Sequence, residues 1–340
     1  MKKGILLVTV FLCTFQAQAA SWFQEIFGEK KFSQKILSVI EVPGEQGPAT
    51  DNFFGAWLDK NTLILNNIVP SEGGKRKWKK KIVVWNQSRK ELQTLMDDAH
   101  LLCVNELTGH VKIQSNSDIK LYEISIPGLE LKEIPQLGWE KNQCMEYFPL
   151  PMDKLSYGLD YHRAYIEYGV MSASGAYRGN AFFVNENGGR KEIDMPASYV
   201  KQPTYDRYAN KYWLTRTSLS SNSAEKKVSM LYLIDNNGVL EKIKLPDYYM
   251  KDIGVTYGAA ATRKGFLING AGARMNGVLF SGLFLLNEKE LTRIYNNDKN
   301  IDVLKVSPDG CSVAFVESSN YWITARETVK IINICDGDLK

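Results

Sequence analysis

The sequence predicts an all-β chain assembled from repeated four-stranded units, and three observations carry that prediction. Leu304–Phe315 alternates apolar residues into a tight Ser307-Pro308-Asp309-Gly310 turn and out again. Proline presets the first corner of such a turn, aspartate bonds its own backbone, and glycine accepts the positive φ that closes it. A related strand-turn-strand pattern then recurs through the chain. Lastly, one strand near the start has no hairpin partner, and the last unit lacks its outer strand.

The recurring pattern is an apolar strand, a polar turn and a more polar strand with alternating aliphatics. Its copies begin at Lys81–Asn86, Ile119–Ile124, Ala181–Asn185, Met230–Asp235, Gly282–Asn287 and Val329–Ile334. The first five are followed by Lys90–Leu95, Leu131–Ile134, Arg190–Ile193, Leu240–Leu245 and Glu290–Ile294. Asn or Asp closes most of the apolar strands, where tolerance of left-handed backbone helps the chain turn. A spacing of roughly 40–60 residues belongs to propeller blades rather than helical repeats.

Two further strands precede each copy. Phe53–Leu58 stands before Thr62–Asn66, Leu101–Val104 before Val111–Gln114, and Tyr208 near Tyr212–Thr215. Later, Tyr257–Ala261 precedes Phe266–Asn269, and Val303–Val306 precedes Ser312–Phe315. In the third unit Cys144–Leu150 and Arg163–Met171 must serve. The count gives a six-bladed β-propeller over residues 35–340, with seven blades as the alternative. The lone Lys35–Val42 strand would fill the place left by the missing last strand and remove both sheet edges.

Residues 1–20 read as an export signal. Lys2 and Lys3 precede an apolar run, Ile5–Phe15, and Ala17-Gln18-Ala19 fits a cleavage site near Ala19/Ala20. The run is shorter than the ~20 residues that span a bilayer. Cys13 follows Leu12 rather than the small residue of a lipoprotein signal. A periplasmic or secreted location follows. Residues 21–34 place Trp22, Phe23, Ile26 and Phe27 on one side of a short helix, a cap or an anchor.

The formal charge of +4 falls by two when Lys2 and Lys3 are removed, which argues against a nucleic-acid partner. Four cysteines remain after export, and an even number in an oxidising compartment permits two disulfides. A hairpin of strands 311–317 and 328–335 sets Cys311 opposite Cys335, leaving Cys103 to pair with Cys144. Buried thiols are the alternative.

Catalytic signatures are missing: there is no H-E-x-x-H, no P-loop, no G-x-S-x-G and no C-x-x-C. His100, His110 and His162 lack metal-ligand spacing, so neither a metal nor a cofactor is expected, and no catalytic residue is named. Propeller ligands sit where loops enter the inner strands or join the middle pair. That places Asp97, Asp98, His100, Trp139, Tyr177 and Arg178 at the mouth. Arg207, Tyr248, Asp252, Arg274 and Trp322 join them. Tryptophan, tyrosine and arginine supply contact area at little rotamer cost, which suits a protein or glycan partner. Lys75-Arg76-Lys77-Trp78-Lys79-Lys80-Lys81 is the one sharp charge feature, either a solvated hairpin loop or a contact with lipid headgroups or an anionic glycan.

Ser307-Pro308-Asp309-Gly310 followed by apolar alternation resembles the blade motif of TolB-like and WD-repeat-like bacterial propellers. The resemblance implies an exported propeller that works by protein contacts in the envelope. The turn departs from the S-x-D-x-G-x-x-W of sialidases, which no other unit supplies. The expected function is therefore a non-enzymatic scaffold binding an envelope protein or glycan. The alternative is a propeller-fold glycan or lactone hydrolase or lyase using mouth carboxylates, and a third reading is a peripheral membrane component. The oligomeric state is left open.

Overall fold

The computed structural model describes residues 33–44, 55–70, 78–105, 110–115, 118–134, 164–167, 180–185, 188–196, 204–215, 230–235, 240–244, 255–275, 278–287, 290–297, 300–318 and 327–336. Every regular element among them is a strand. Two short ones come first, β1 (Ser33–Gln34) and β2 (Val39–Glu41).

Up-and-down sheets follow in chain order. The first holds β3 (Gly55–Trp57), β4 (Thr62–Pro70), β5 (Trp78–Asn86) and β6 (Glu91–Asp97). The second holds β7 (Ala99–Asn105), β8 (His110–Ser115), β9 (Asp118–Ile124) and β10 (Leu131–Ile134). The third shows three strands among the described residues, β11 (Tyr165–Glu167), β12 (Asn180–Val184) and β13 (Arg190–Pro196). Cys144–Leu150, expected to serve this unit, lies outside the described residues.

The fourth holds β14 (Thr204–Asp206), β15 (Lys211–Thr215), β16 (Met230–Ile234) and β17 (Leu240–Lys244). The fifth holds β18 (Val255–Thr262), β19 (Gly265–Met275), β20 (Val278–Asn287) and β21 (Glu290–Asn297). The last holds β22 (Asn300–Val306), β23 (Ser312–Ser318) and β24 (Glu327–Asn333).

The third strands are near-continuous apolar runs because both faces of each sheet are covered. Side chains alternate across a strand, so successive residues serve opposite neighbours. On β5, Ile82 and Val84 pack with Leu101 and Ile113 of the second sheet, while Val83 and Trp85 pack with Ala314 and Val316 of the last. On β16, Tyr232 and Ile234 meet Ile166 and Phe183 of the third sheet, and Leu231 and Leu233 meet Phe266 and Phe284 of the fifth. On β20, Phe284 and Leu286 face the fourth sheet and Leu283 and Leu285 the last. A buried leucine or phenylalanine side chain contributes about 1.5–3 kcal/mol, so these interfaces dominate stability. The first strands also lie against one another, β3 beside β7 and β22, and β18 beside β14 and β22.

The start of the chain straps the last two sheets together. β1 adds in parallel to the outer edge of β21, with Ser33 opposite Thr292 and Gln34 opposite Arg293. The backbone N–H groups of Lys35 and Leu37 then donate to Arg293 and Ile294 carbonyls, both at 2.9 Å. β2 crosses to the last sheet and pairs antiparallel with β24, Val39 opposite Ile332 and Glu41 opposite Lys330. Of the single Lys35–Val42 strand expected from the sequence, Val39–Glu41 is strand and pairs with the last sheet, while Ser33–Gln34, just before it, adds to the fifth. Leu37 and Val39 pack between the fifth and last sheets, Ile40 and Val42 between the last and first.

Candidate functional site

An up-and-down sheet sorts its connections by end. Links from first to second and from third to outer strand leave one end. Links from second to third strand, and from one sheet to the next, leave the other. At the first, or turn, end no described link exceeds the six residues of Ser125–Glu130. The strand ends that flank 71–77, 168–179, 197–203, 216–229, 245–254 and 319–326, stretches outside the described residues, stand at the other end. This loop-bearing end is the candidate site.

The turn end is committed to structure. Asp206 is buried and accepts the backbone N–H groups of Tyr208 (2.9 Å) and Ala209 (3.0 Å) and the indole N–H of Trp213 (2.9 Å). Asp59 accepts the N–H of Asn61 (2.7 Å) and the hydroxyl of Thr62 (2.9 Å). Asp309 accepts the Ser307 hydroxyl (2.6 Å) and the Cys311 N–H (3.1 Å). Gly310 has φ +75°, and a Cβ there would run into the Tyr208 hydroxyl and the Arg263 backbone nitrogen. Burial pushes the Tyr208 phenol above its ordinary value.

This arrangement corrects two expectations. The first strand of the fourth sheet is Thr204–Asp206, and Tyr208 belongs to the turn that follows it. Arg207 therefore stands exposed at the turn end, opposite the mouth where the sequence placed it. The physical reason is Asp206, whose carboxylate gathers the next backbone N–H groups and ends the strand early.

At the loop-bearing end Asp97 closes β6 and holds Lys81 at 2.7 Å. Asp98 alone links the first two sheets at φ +50°, and half-buried His100 follows in β7. Lys79 and Lys80 are exposed on β5 beside this group. Arg274 sits on β19 opposite Leu279, and Trp78 on β5 opposite Pro70. Trp139, Tyr177, Arg178, Tyr248, Asp252 and Trp322 lie outside the described residues, as do Lys75, Arg76, Lys77 and the N-terminal helix. Among the described residues no cluster of three His, Cys, Asp or Glu is placed to hold a metal.

Cys311 and Cys335 form a disulfide with Cα atoms 5.2 Å apart, as the hairpin register predicts. Cys103 lies on β7 opposite Lys112, and Cys144 outside the described residues, so their pairing is untested.

Polar groups that sequence reasoning missed join neighbouring sheets. The Asn66 side chain donates to the Leu101 carbonyl (2.8 Å) and accepts the Leu101 N–H (2.7 Å). Asn269, at the same place in the fifth sheet, donates to the Ile301 carbonyl of the last. The shared signal is an apolar triplet ending in Asn, Leu63–Asn66 and Phe266–Asn269. Between the fifth and last sheets, buried Glu317 accepts the Tyr295 hydroxyl (2.7 Å) and pairs with Lys330 Nζ (2.6 Å). Arg293 is buried beneath β1 over the Phe284 ring, and desolvation pulls its guanidinium down to about 10. Gly282 makes room for it, since a Cβ there would approach Arg293 Nε to 3.1 Å.

No protein-family model and no curated protein sequence matches the chain. Among solved structures it is similar to the β-propeller domain of the trilobed protease from Pyrococcus furiosus, at 11% identity over 80% of each chain with TM-score 0.34. It is also similar to TolB from Acinetobacter baumannii, at 10% identity over 79% of this chain and 63% of that one, TM-score 0.37. Trypanosoma rangeli sialidase matches at 9% identity over 87% and 54%, TM-score 0.36. The match spans 46% of the acylaminoacyl peptidase of Pyrococcus horikoshii, so several of these proteins are much longer than the region they share. The fold assignment rests on the strand order and two-sided packing described above.

Proposed function

We propose that the chain is an exported six-bladed β-propeller, closed by its N-terminal strand, that acts without catalysis as a scaffold for an envelope protein or glycan. The observation that carries this reading is the unequal distribution of chain between the two ends of the sheets. Short Asp-bonded turns hold one end, and the strands at the other end are joined through the longest stretches of sequence. Those connections contain Trp139, Tyr177, Arg178, Tyr248, Asp252 and Trp322, residue types that dominate the energetics of recognition surfaces. The Cys311–Cys335 disulfide suits an oxidising compartment, in keeping with the export signal.

The test is affinity capture from envelope extract on the disulfide-bonded chain, with a glycan array beside it. Tyr177→Ala/Arg178→Ala is expected to lose the captured ligand, while Arg207→Ala at the turn end keeps it. Retention by the first variant overturns the binding end. Turnover of a glycan or lactone library with no captured ligand replaces the scaffold by the hydrolase or lyase reading.

A further inference from the structure

Turns of three consecutive sheets meet at the turn end: 207–210 of the fourth, 263–264 of the fifth and 307–311 of the last. The Arg263 N–H donates to the Gly310 carbonyl at 3.0 Å, and the Tyr208 hydroxyl of the fourth sheet donates to the Pro308 carbonyl of the last at 3.4 Å. A Cβ on Gly310 would lie 2.2 Å from that hydroxyl, so the tip of the ring rests on bare glycine backbone. At the other end of the residue, the Tyr208 N–H is held by Asp206. Tyr208 is therefore fixed at base and tip, yet remains 39% exposed.

The charged groups around this ring divide by sign. The carboxylates are spent within the fold: Asp206 accepts three N–H groups, and Asp309 accepts the Ser307 hydroxyl and Cys311 N–H of its own turn. The cations are not. Arg207 and Arg263 are exposed, and neither guanidinium has an ion-pair partner among the described residues. Burial holds the Tyr208 phenol above its ordinary value, and the two guanidiniums pull it down against Asp309 and Asp206, so all four charges lie near it. Lys211 and Lys264, half-buried in and beside the same turns, leave cations in excess of carboxylates there.

We infer that this face of the turn end binds an acidic peptide segment of a protein partner, its carboxylates forked by Arg207 and Arg263 and its backbone lying across the Tyr208 ring. A guanidinium offers a planar fork that a carboxylate matches with two parallel bonds, and arginine and tyrosine are the types that anchor protein interfaces. A single exposed ion pair contributes little, so recognition requires both arginines on one rigid platform. The scaffold reading uses the opposite end of the sheets and a ligand drawn from extract. This face is tested on a synthetic peptide, so either can fail alone.

Fluorescence anisotropy of a labelled Glu-Gly repeat peptide, titrated with the purified, disulfide-bonded chain, is the experiment, with the Gln-Gly repeat as uncharged counterpart. Saturable binding of the Glu peptide is expected, weakened by salt, with none of the Gln peptide. Arg207→Ala/Arg263→Ala should weaken binding by roughly tenfold or more, the scale of a lost interface anchor. Arg207→Lys/Arg263→Lys should restore only part of it, because lysine keeps the charge and loses the fork. Arg89→Gln/Lys90→Gln removes the same charge from the exposed outer turn of the first sheet and should bind as wild type. Unchanged thermal melting of the three variants keeps folding out of the comparison. Equal binding of the two peptides, binding of neither, or equal losses in the Ala and Gln variants overturns the inference. So does tighter binding of a polyuronate glycan than of the peptide, lost with Arg207→Ala/Arg263→Ala.

Discussion

Glu317 is the residue whose environment is most demanding. Its side chain is 1% exposed, on β23, and its two carboxylate oxygens are taken by Lys330 from the next strand and Tyr295 from the neighbouring sheet. Lys330 also reaches the Tyr295 hydroxyl at 3.2 Å, so three side chains from two sheets form one buried network. A buried ion pair returns little over an apolar replacement, yet breaking one leaves a charge that burial penalises heavily. Lys330→Met should therefore cost about 3–5 kcal/mol. Glu317→Gln/Lys330→Met should cost less than that single variant, because no charge remains. Urea unfolding of both checks this. A double variant as unstable as the single one would place the cost in packing around Lys330 rather than in the stranded carboxylate.

At the scale of elements, legibility followed burial. The third strands are readable because both faces are covered, which leaves long apolar runs such as Ile82–Trp85 and Leu231–Ile234 in plain view. Their hairpins to the outer strands were equally plain, and so was the disulfide, since Cys311 and Cys335 stand just outside the paired ends of β23 and β24. Ser312 lies opposite Asn333, and the Ile334 N–H donates to the Cys311 carbonyl at 2.8 Å. The losses came where a long-range contact decides the element. β1 is two residues, Ser33 and Gln34, held only by the edge of β21, and no local pattern announces it. β14 was displaced onto Tyr208 because a three-residue strand ending in an Asp that bonds its own turn looks like loop. The Tyr295–Glu317–Lys330 network joins residues of two sheets that no spacing rule connects. Of the candidate binding residues, Asp97, Asp98 and His100 stand together because their sheet junction is a single residue, whereas Arg207 lies in the turn after β14. The disulfide also bounds an element-scale experiment. It closes a separation of 24 residues across the hairpin, and chain entropy assigns such a loop roughly 3–4 kcal/mol. Cys311→Ser/Cys335→Ser should lose up to that amount in urea unfolding. A loss below roughly 1 kcal/mol would mean that the β23–β24 ladder already restricts the unfolded chain as the bridge does.

At the scale of the whole molecule, the last sheet is unlike the others because it is made from both ends of the described chain. Its outer strand is β2, three residues long, and only pairing and packing hold that strand to β24. The strap is anchored on two sheets, by the Lys35 and Leu37 N–H groups to the Arg293 and Ile294 carbonyls and by the Val42 N–H to the Val329 carbonyl, each at 2.9 Å. Ile36, between Lys35 and Leu37, is 53% exposed. Short ladders with exposed residues open at lower free energy than core strands, so the proposed ring has its weakest join here. Proline at position 42 removes one anchor without touching the other, since it has no N–H to donate. Val42→Pro should therefore speed amide hydrogen exchange in β24, at Val329 through Ile332, by at least roughly tenfold, the loss of one hydrogen bond and its buried partner. Exchange in β16, at Tyr232 and Leu233 two sheets away, should keep its wild-type rate. Leu37→Pro should act on the β21 edge in the same local manner. Equal acceleration in β24 and β16 would show that the molecule opens only as a unit, and the strap would then be one edge strand among others rather than the place where the structure comes apart.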